Sequence, residues 1–128
     1  MSDTFVTKNI LKWYDLNKRS LPWRKNVSKQ KKQYYTLVSE FMLQQTQVVT
    51  VIPYFNKFIE KIPNIKSLAK ISDKKLIKFW EGLGYYSRAK NLKKTAQLVI
   101  KNFKGNIPNN YDDLISLPGI GNYTASAI

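Results

Sequence analysis

The sequence predicts an all-α fold, a compact array of short helices. Apolar residues recur at helical spacing, as in the series Val6, Ile10, Trp13 and Tyr14 near the start of the chain. Capping residues and glycines separate the helical segments, and no stretch alternates convincingly between polar and apolar residues as a strand would. The length of 128 residues suits one ordinary domain.

The predicted helices follow in order along the chain. The first amphipathic helix spans about residues 3–18. Shorter helical pieces come next, at Tyr34–Gln44, Gln47–Lys61, Ile65–Lys70 and Asp73–Glu81. Asn64 and Ser72 offer N-caps for two of them, while Gly82 and Gly84 allow the left-handed backbone that ends a helix. A long basic helix follows, with an apolar face formed by Ala89, Leu92, Ala96, Val99, Ile100 and Phe103.

The last segment predicts a helix–hairpin–helix over residues 112–128. A short helix at Asp112–Ser116, capped by Asn110, precedes the turn Leu117-Pro-Gly-Ile-Gly121 and a second helix that starts at Asn122. The two glycines allow a tight turn, and the amides at the next helix start form an anion site. An ordinary glycine-containing turn is the alternative. The second helix reaches Ile128 with its apolar side unfinished, so we expect the parent fold to continue.

Composition excludes several kinds of site. The chain has no cysteine, so disulfides and cysteine-ligated zinc or iron–sulfur centres are ruled out within these residues. It has no histidine, which removes Ser-His-Asp and Cys-His catalysis and histidine-ligated metals. No apolar run approaches the roughly 20 residues that span a bilayer, and Asp3 stands where a signal peptide needs cations. We therefore expect a cytoplasmic protein without a signal peptide or membrane contact.

The charge favours a polyanionic partner. Lys and Arg total 22 against 8 acids, which gives a net charge of +14. Two stretches, Leu16–Ser39 and Tyr85–Lys104, hold basic residues and no acid, whereas an ordinary solvated face mixes both signs. This distribution favours nucleic acid. The alternative is the lysine bias of an AT-rich genome, because 19 of the 22 basic residues are lysine.

Glu40 is the candidate general acid. It is an isolated acid whose neighbours are mostly apolar. A carboxyl held among apolar groups tends to keep its proton, which a general acid requires. On a helix Glu40 shares a face with Gln44, and Gln45 and Thr46 add groups able to read base edges. The alternative is a surface glutamate followed by a polar helix end.

Two further segments offer groups that could contact bases. Gly82-Leu-Gly-Tyr-Tyr86 combines glycines that bring the backbone close with Leu83 and Tyr85, which could wedge into or stack on bases. Leu21-Pro-Trp-Arg24 offers a flat ring and a guanidinium that could wall a base pocket. In both segments, ordinary packing of these side chains is the alternative.

These blocks together resemble one family. The matching segments are Trp13-Tyr14, Leu21–Trp23, Ser39-Glu40, Met42–Gln47, Ile52–Phe55, Gly82–Tyr86, Arg88–Leu92 and Leu117–Gly121. Nearly end to end, the chain is similar to the N-terminal part of an adenine-specific DNA glycosylase of the MutY type, within the helix–hairpin–helix/Gly-Pro-Asp superfamily. The resemblance implies a helical DNA glycosylase domain, with a six-helix barrel module over about residues 33–128.

The resemblance also implies a reaction and its residues. Adenine opposite 8-oxoguanine or guanine in double-stranded DNA would be flipped out by a monomeric enzyme, protonated by Glu40 and released by hydrolysis. The adenine pocket would be lined by Arg19, Leu21, Trp23, Arg24, Leu43 and Val48. The DNA around the lesion would meet Gln44, Gln45, Thr46, Leu83, Tyr85, Arg88, Leu117, Gly119 and Gly121.

Tyr123 distinguishes the relatives. The resemblance implies that its hydroxyl reaches the active site, where endonuclease III-like enzymes carry a lysine that attacks the sugar and cuts the strand. A phenol cannot form that imine, so the implied enzyme is a hydrolytic glycosylase without strand cleavage. The alternatives are an endonuclease III-like glycosylase/lyase and a helix–hairpin–helix DNA-binding module without catalysis.

Other parts of the family pattern lie beyond Ile128. They are a catalytic aspartate, four cysteines that hold a [4Fe-4S] cluster, and a C-terminal domain that inspects 8-oxoguanine. We therefore expect no metal or cofactor within residues 1–128 and an iron–sulfur cluster in the full-length family. We also expect this chain to be a fragment with weak or no catalysis, because the developing cation lacks its electrostatic partner.

Overall fold

The computed structural model describes residues 21–128, without the side chains of Asn122 and Tyr123. Within this range the chain is all-helical, which confirms the predicted fold class, and none of its helices is both long and apolar enough to cross a bilayer. A 3₁₀ turn at Pro22–Arg24 precedes α1 Lys29–Leu43, α2 Val48–Lys61, α3 Ile65–Lys70, α4 Asp73–Trp80, α5 Ser87–Phe103, α6 Tyr111–Ile115 and α7 Asn122–Ala127. The predicted helix over residues 3–18 and the predicted pocket residue Arg19 lie outside the described residues.

Local capping fixes the helix starts that the sequence predicts. The Asn64 side chain accepts a hydrogen bond from the Ser67 amide at 2.8 Å, and the Ser67 hydroxyl accepts one from the Asn64 amide, which completes a capping box. Ser72 caps α4 and Asn110 caps α6, each by accepting from the amide three residues further on. These bonds satisfy amides that a helix start otherwise leaves unpaired.

The start of α1 differs from the prediction. The helix begins at Lys29, more than a turn before the predicted start at Tyr34, and the Ser28 side chain caps it by accepting from the Lys31 amide at 3.3 Å. Residues 29–33 are all polar, so apolar periodicity could not reveal this first turn. The 3₁₀ turn before it was also not predicted, because three residues are too few to show a period.

Helix α1 is the centre of the fold. It packs against the 3₁₀ turn, α2, α5 and α7, and its inward residues Leu37, Val38, Phe41 and Met42 are fully buried. Helix α3 packs along α5, and α4 packs on both α2 and α5. Burial of this apolar surface is the main stabilising contribution to the fold. Because α1 touches elements from both halves of the chain, its last turn brings distant loops together.

Candidate active site

Glu40 lies on α1, one helical turn before its end, and its side chain is half-buried. Burial raises the pKa of the Glu40 carboxyl above its ordinary value, because a desolvated carboxyl disfavours the charged form. The charge of Arg24 acts in the opposite direction and lowers this pKa by a smaller amount. The 3₁₀ turn therefore brings a cation near a carboxyl whose surroundings favour the protonated form.

The 3₁₀ turn in front of α1 and its N-cap residue Leu21 supply three of the residues predicted to line an adenine pocket. Leu21 and Trp23 are buried, and the Trp23 ring meets the Phe55 ring edge-on, with the centroids 5.3 Å apart. Trp23 is thus packed against α2, as in the packing alternative for this segment. Arg24 is exposed on the same turn. The turn therefore contributes an anchored aromatic residue and an accessible guanidinium to the side of α1 near Glu40.

The hairpin between α6 and α7 is held against α1 and α5. The Gln44 side-chain amide donates to the Gly119 carbonyl at 3.2 Å, and the Thr95 hydroxyl donates to the Pro118 carbonyl at 2.9 Å. Gly119 has a φ of +77°, and a Cβ atom there would lie 2.9 Å from the Phe41 ring, so this position needs glycine. The role of Thr95 is not among the sequence predictions, although a threonine on the apolar face of the basic helix indicates a buried hydroxyl that needs a hydrogen-bond partner.

Gly121 differs from the expectation for this hairpin. Its backbone is extended, with a φ of −94° and a ψ of −176°, and the residue is the N-cap of α7. A Cβ atom at Gly121 would meet no atom within 4 Å. Of the two glycines predicted to allow the tight turn, only Gly119 therefore takes the left-handed backbone.

Arg88 joins the end of α1 to the loop after α4. Its two terminal nitrogens donate to carbonyls of both segments, namely those of Phe41, Met42, Gln44, Leu83 and Gly84. The side chain is only 7% exposed, and its guanidinium carbon lies 5.6 Å from the centroid of the Trp80 ring. Carbonyls at a helix end lack intrahelical donors and favour a cation. These donors therefore bind the protein's own backbone and fix the two segments to each other. The predicted DNA contact at Arg88 stays a prediction.

The two segments that Arg88 joins each hold a non-glycine residue in the left-handed backbone. Gln45 has a φ of 61° in the turn after α1, and Tyr85 has a φ of 50° in the loop after α4. Such a conformation costs about 1–2 kcal/mol and persists only where surrounding contacts hold it. Both side chains are exposed, that of Tyr85 by 62%. Strained backbone at exposed side chains is typical of binding sites, and both residues are predicted DNA contacts.

Comparison with known families covers the part of the site that follows the 3₁₀ turn. The family model described as "HhH-GPD superfamily base excision DNA repair protein" matches residues 38–125. This range includes Glu40, the two segments joined by Arg88 and the hairpin. The chain belongs to the HhH-GPD superfamily. The family predicted from the sequence motifs is therefore confirmed.

Curated proteins similar to this HhH-GPD chain are named adenine DNA glycosylase. The one from Buchnera aphidicola subsp. Baizongia pistaciae (strain Bp) is 48% identical over 129 residues, which cover 100% of this chain and 36% of that protein. The one from Rattus norvegicus is 44% identical over 130 residues, which cover 98% of this chain and 25% of that protein. The chain thus spans about a third or less of the length of these relatives.

Solved structures share the HhH-GPD fold. A thermostable thymine-DNA glycosylase is similar with a TM-score of 0.76 and 29% identity, covering 98% of this chain and 56% of that chain. A non-covalent endonuclease III–DNA complex is similar with a TM-score of 0.71 and 19% identity, covering 98% of this chain and 57% of that chain. The second likeness, at this low identity, bears on the fold alone. Both agree with the predicted DNA glycosylase fold.

Some predicted DNA contacts of this HhH-GPD chain are less exposed than expected. Leu83 and Leu117 are only 7% and 4% exposed, so their side chains belong to the apolar core. Their predicted role as DNA contacts stays a prediction, and the buried side chains leave main-chain groups as the means of contact. Thr46 is half-buried, and its hydroxyl donates to the Gln44 carbonyl at 3.5 Å.

The remaining predicted site residues lie around the end of α1 and the start of α7. Leu43 and Val48 are half-buried and pack against the core on either side of the polar turn. Tyr123 is the second residue of α7, a helix that packs against α1, but its side chain lies outside the described residues. Its predicted catalytic position stays a prediction.

The iron–sulfur cluster expected of the full-length family finds no ligands in this chain. A cluster of this kind needs thiolates, and the 128 residues contain no cysteine. Among the described residues, no group of three or more His, Cys, Asp or Glu side chains could hold a metal ion. The residues present do not fit a cluster.

Proposed function

We propose that this chain carries the catalytic helical module of a monofunctional DNA glycosylase, which removes adenine mispaired with 8-oxoguanine or guanine. The observation that carries the proposal is the half-buried Glu40 carboxyl with its raised pKa, one turn before the polar segment that Arg88 and the hairpin hold in position. The names of the curated relatives support adenine as the base. The HhH-GPD match supports base excision repair.

The proposed reaction uses Glu40 twice. The protonated carboxyl donates its proton to a ring nitrogen of the flipped adenine, and the bond between base and sugar breaks with its electron pair moving to the base. The sugar then carries oxocarbenium-like positive charge. The Glu40 carboxylate accepts a proton from a water molecule as that water adds to the sugar. The base pocket in this proposal consists of Arg19, Leu21, Trp23, Arg24, Leu43 and Val48.

Binding to the duplex uses side chains of the two turns that Arg88 joins and backbone groups of the hairpin. Gln45 and Tyr85 are exposed on turns that Arg88 joins, which suits them to enter the space around an extruded base. The hairpin at Gly119 presents main-chain groups, and the net charge of +14 attracts the phosphates. The Gln44 side chain donates one N–H to the Gly119 carbonyl, so its carboxamide oxygen and its second N–H are left for DNA.

Tyr123 makes the proposed enzyme hydrolytic. A phenol cannot form a Schiff base with the sugar, so no covalent intermediate forms through this residue. The full protein is proposed to act as a monomer on double-stranded DNA in the cytoplasm, associated with the nucleoid. Residues 1–128 alone are proposed to release little adenine, because the resemblance puts the stabilising aspartate beyond Ile128.

The proposal is tested with a duplex that contains adenine opposite 8-oxoguanine. The full-length protein is expected to release free adenine under single-turnover conditions, and the E40Q variant is expected to be slower by about 10²–10⁴-fold, because glutamine cannot transfer the proton. Duplex binding by E40Q should stay within a few-fold of the parent protein. Unchanged base release by E40Q would refute the role of Glu40, and borohydride trapping of a covalent adduct would favour the lyase alternative.

A further inference from the structure

A second concave surface lies apart from Glu40. It is an open groove of about 1260 Å³ between α2, α3 and α4. Glu40, Gln45, Tyr85 and the hairpin do not line it. The groove therefore contains none of the side chains proposed for base removal, although its lining residues Tyr54 and Glu81 border the loop at Gly82.

The walls of this groove are strongly basic. Five lysines line it, against the single acid Glu81: Lys57, Lys61, Lys70, Lys75 and Lys78. None of the five forms an ion pair with a carboxylate within residues 21–128. Like charges gathered around a concave surface raise the local potential and attract anionic groups.

The floor of the groove is apolar. It consists of the apolar lining residues Pro53, Tyr54, Ile62, Ile71 and Phe79. Phe79 packs edge-on against Phe58, with ring centroids 6.2 Å apart, so this part of the floor is anchored to the core. An occupant that matches both parts of the surface must carry acidic and apolar groups side by side.

The direction of the groove argues against duplex DNA as the occupant. Helix α2 starts next to the polar turn at Gln45, and Lys57 and Lys61 lie about 14 and 20 Å further along its axis at 1.5 Å per residue. The lysines of α2 thus lead away from the turn at Gln45. A duplex also presents a convex, fully polar phosphate surface, which leaves an apolar floor unused.

We propose that this groove is a docking site for an acidic amphipathic segment of a partner protein. Carboxylates on one side of such a segment meet the lysines, and apolar side chains on the other side cover the floor, as in other helix-in-groove complexes. Two observations support this assignment: the lysines attract acidic groups, and the apolar residues of the lining suit apolar side chains. It does not depend on the glycosylase activity.

The test uses the full chain and two synthetic peptides of identical composition. In one peptide glutamates and leucines occupy opposite faces of a helix, and in the other the order is scrambled. Fluorescence anisotropy is expected to show that the amphipathic peptide binds at least about tenfold more tightly. Equal binding of the two peptides, or no binding of either, would overturn the proposal.

Charge reversal locates the binding surface. The triple variant K57E/K61E/K75E is expected to lose at least about tenfold in affinity for the amphipathic peptide. The matched control K94E/K101E/K104E changes the same charge at exposed lysines outside the groove, and it should lose no more than about threefold. Far-UV circular dichroism checks folding, and the corresponding Lys→Gln set serves if a triple reversal does not fold.

Two outcomes contradict the assignment to an acidic peptide. An equal loss in the control variant would mean that binding follows net charge and not the groove. Single-stranded oligothymidine is the other probe, because aromatic residues and lysines also suit nucleic acid. If the groove variant loses oligothymidine binding and keeps peptide binding, the groove is a nucleic-acid site and the proposal is wrong.

Discussion

The end of α1 and the starts of α3, α4 and α6 satisfy their unpaired backbone groups in different ways. Asn64, Ser72 and Asn110 each accept from an amide three residues away. At the end of α1 the carbonyls depend on Arg88, whose guanidinium donates to Met42 at 2.8 Å across 46 positions of the chain. The helix starts are thus fixed by local sequence, whereas the candidate site exists only once the fold has formed.

Of the changes that test this difference, removal of the Arg88 guanidinium should lower the free energy of unfolding the most. An R88M variant keeps the bulk of the side chain but leaves the carbonyls of two segments without donors, so we expect a loss of about 3 kcal/mol or more in unfolding free energy. Urea denaturation of the full chain measures it. Lys90, exposed on the same helix, provides the control K90M, expected within about 0.5 kcal/mol. A loss in R88M as small as that of the control would show that the two segments do not depend on Arg88.

The two hairpin glycines give a matched pair of smaller changes. G119A places a Cβ atom 2.9 Å from the Phe41 ring at a positive φ, so it should destabilise the protein by about 2–4 kcal/mol. G121A introduces its methyl group into open space on an extended backbone. It should be neutral or stabilising by about 0.4–1 kcal/mol, because it restricts the unfolded chain. Similar melting temperatures for the two variants would contradict this difference.

Loss of a local cap should matter less. N64A removes the acceptor of the α3 capping box, and we expect it to lower the unfolding free energy by about 1 kcal/mol. N64D keeps an acceptor oxygen and should stay within a few tenths of a kcal/mol. Neither variant should change affinity for an adenine-containing duplex, which fluorescence anisotropy measures. Weaker duplex binding by N64A would show that the capped start of α3 is coupled to the candidate active site at the end of α1.

Much of the helical framework was predictable because its signals are local. The caps at Asn64, Ser72 and Asn110 and the apolar face of α5 all follow from residue type and spacing. The first turn of α1 at Lys29 was not predictable from apolar periodicity, because its residues are all polar.

The candidate site was less predictable because its side chains have long-range partners. Glu40 was recognised from its apolar neighbours, and burial does raise its pKa. Arg88, Leu83 and Leu117 stand in motifs that suggest DNA contact, yet the fold buries all three. Only the packing of α5 against α1 shows that Arg88 binds carbonyls, and no residue spacing reports such a contact.

The smallest expected change concerns Glu40 itself. Its folded pKa is raised, so any stability it contributes is present below the unfolded pKa of about 4.3 and is lost as the pH rises through the folded pKa. E40Q cannot ionise and should therefore be the more stable protein at pH 7, by less than about 1 kcal/mol because the carboxyl is only half-buried. The difference should disappear in acid. Thermal denaturation across the pH range detects it, and a less stable E40Q at neutral pH would contradict the sign.

Proton donation by Glu40 is tested most directly by titrating its carboxyl carbon with ¹³C NMR in the full-length protein. The spectrum of E40Q assigns the resonance by its absence. We expect a midpoint clearly above the ordinary glutamate value of about 4.3, because burial disfavours the charged form. A midpoint at or below that value would mean that Glu40 is ionised like a surface residue and cannot act as the proposed acid.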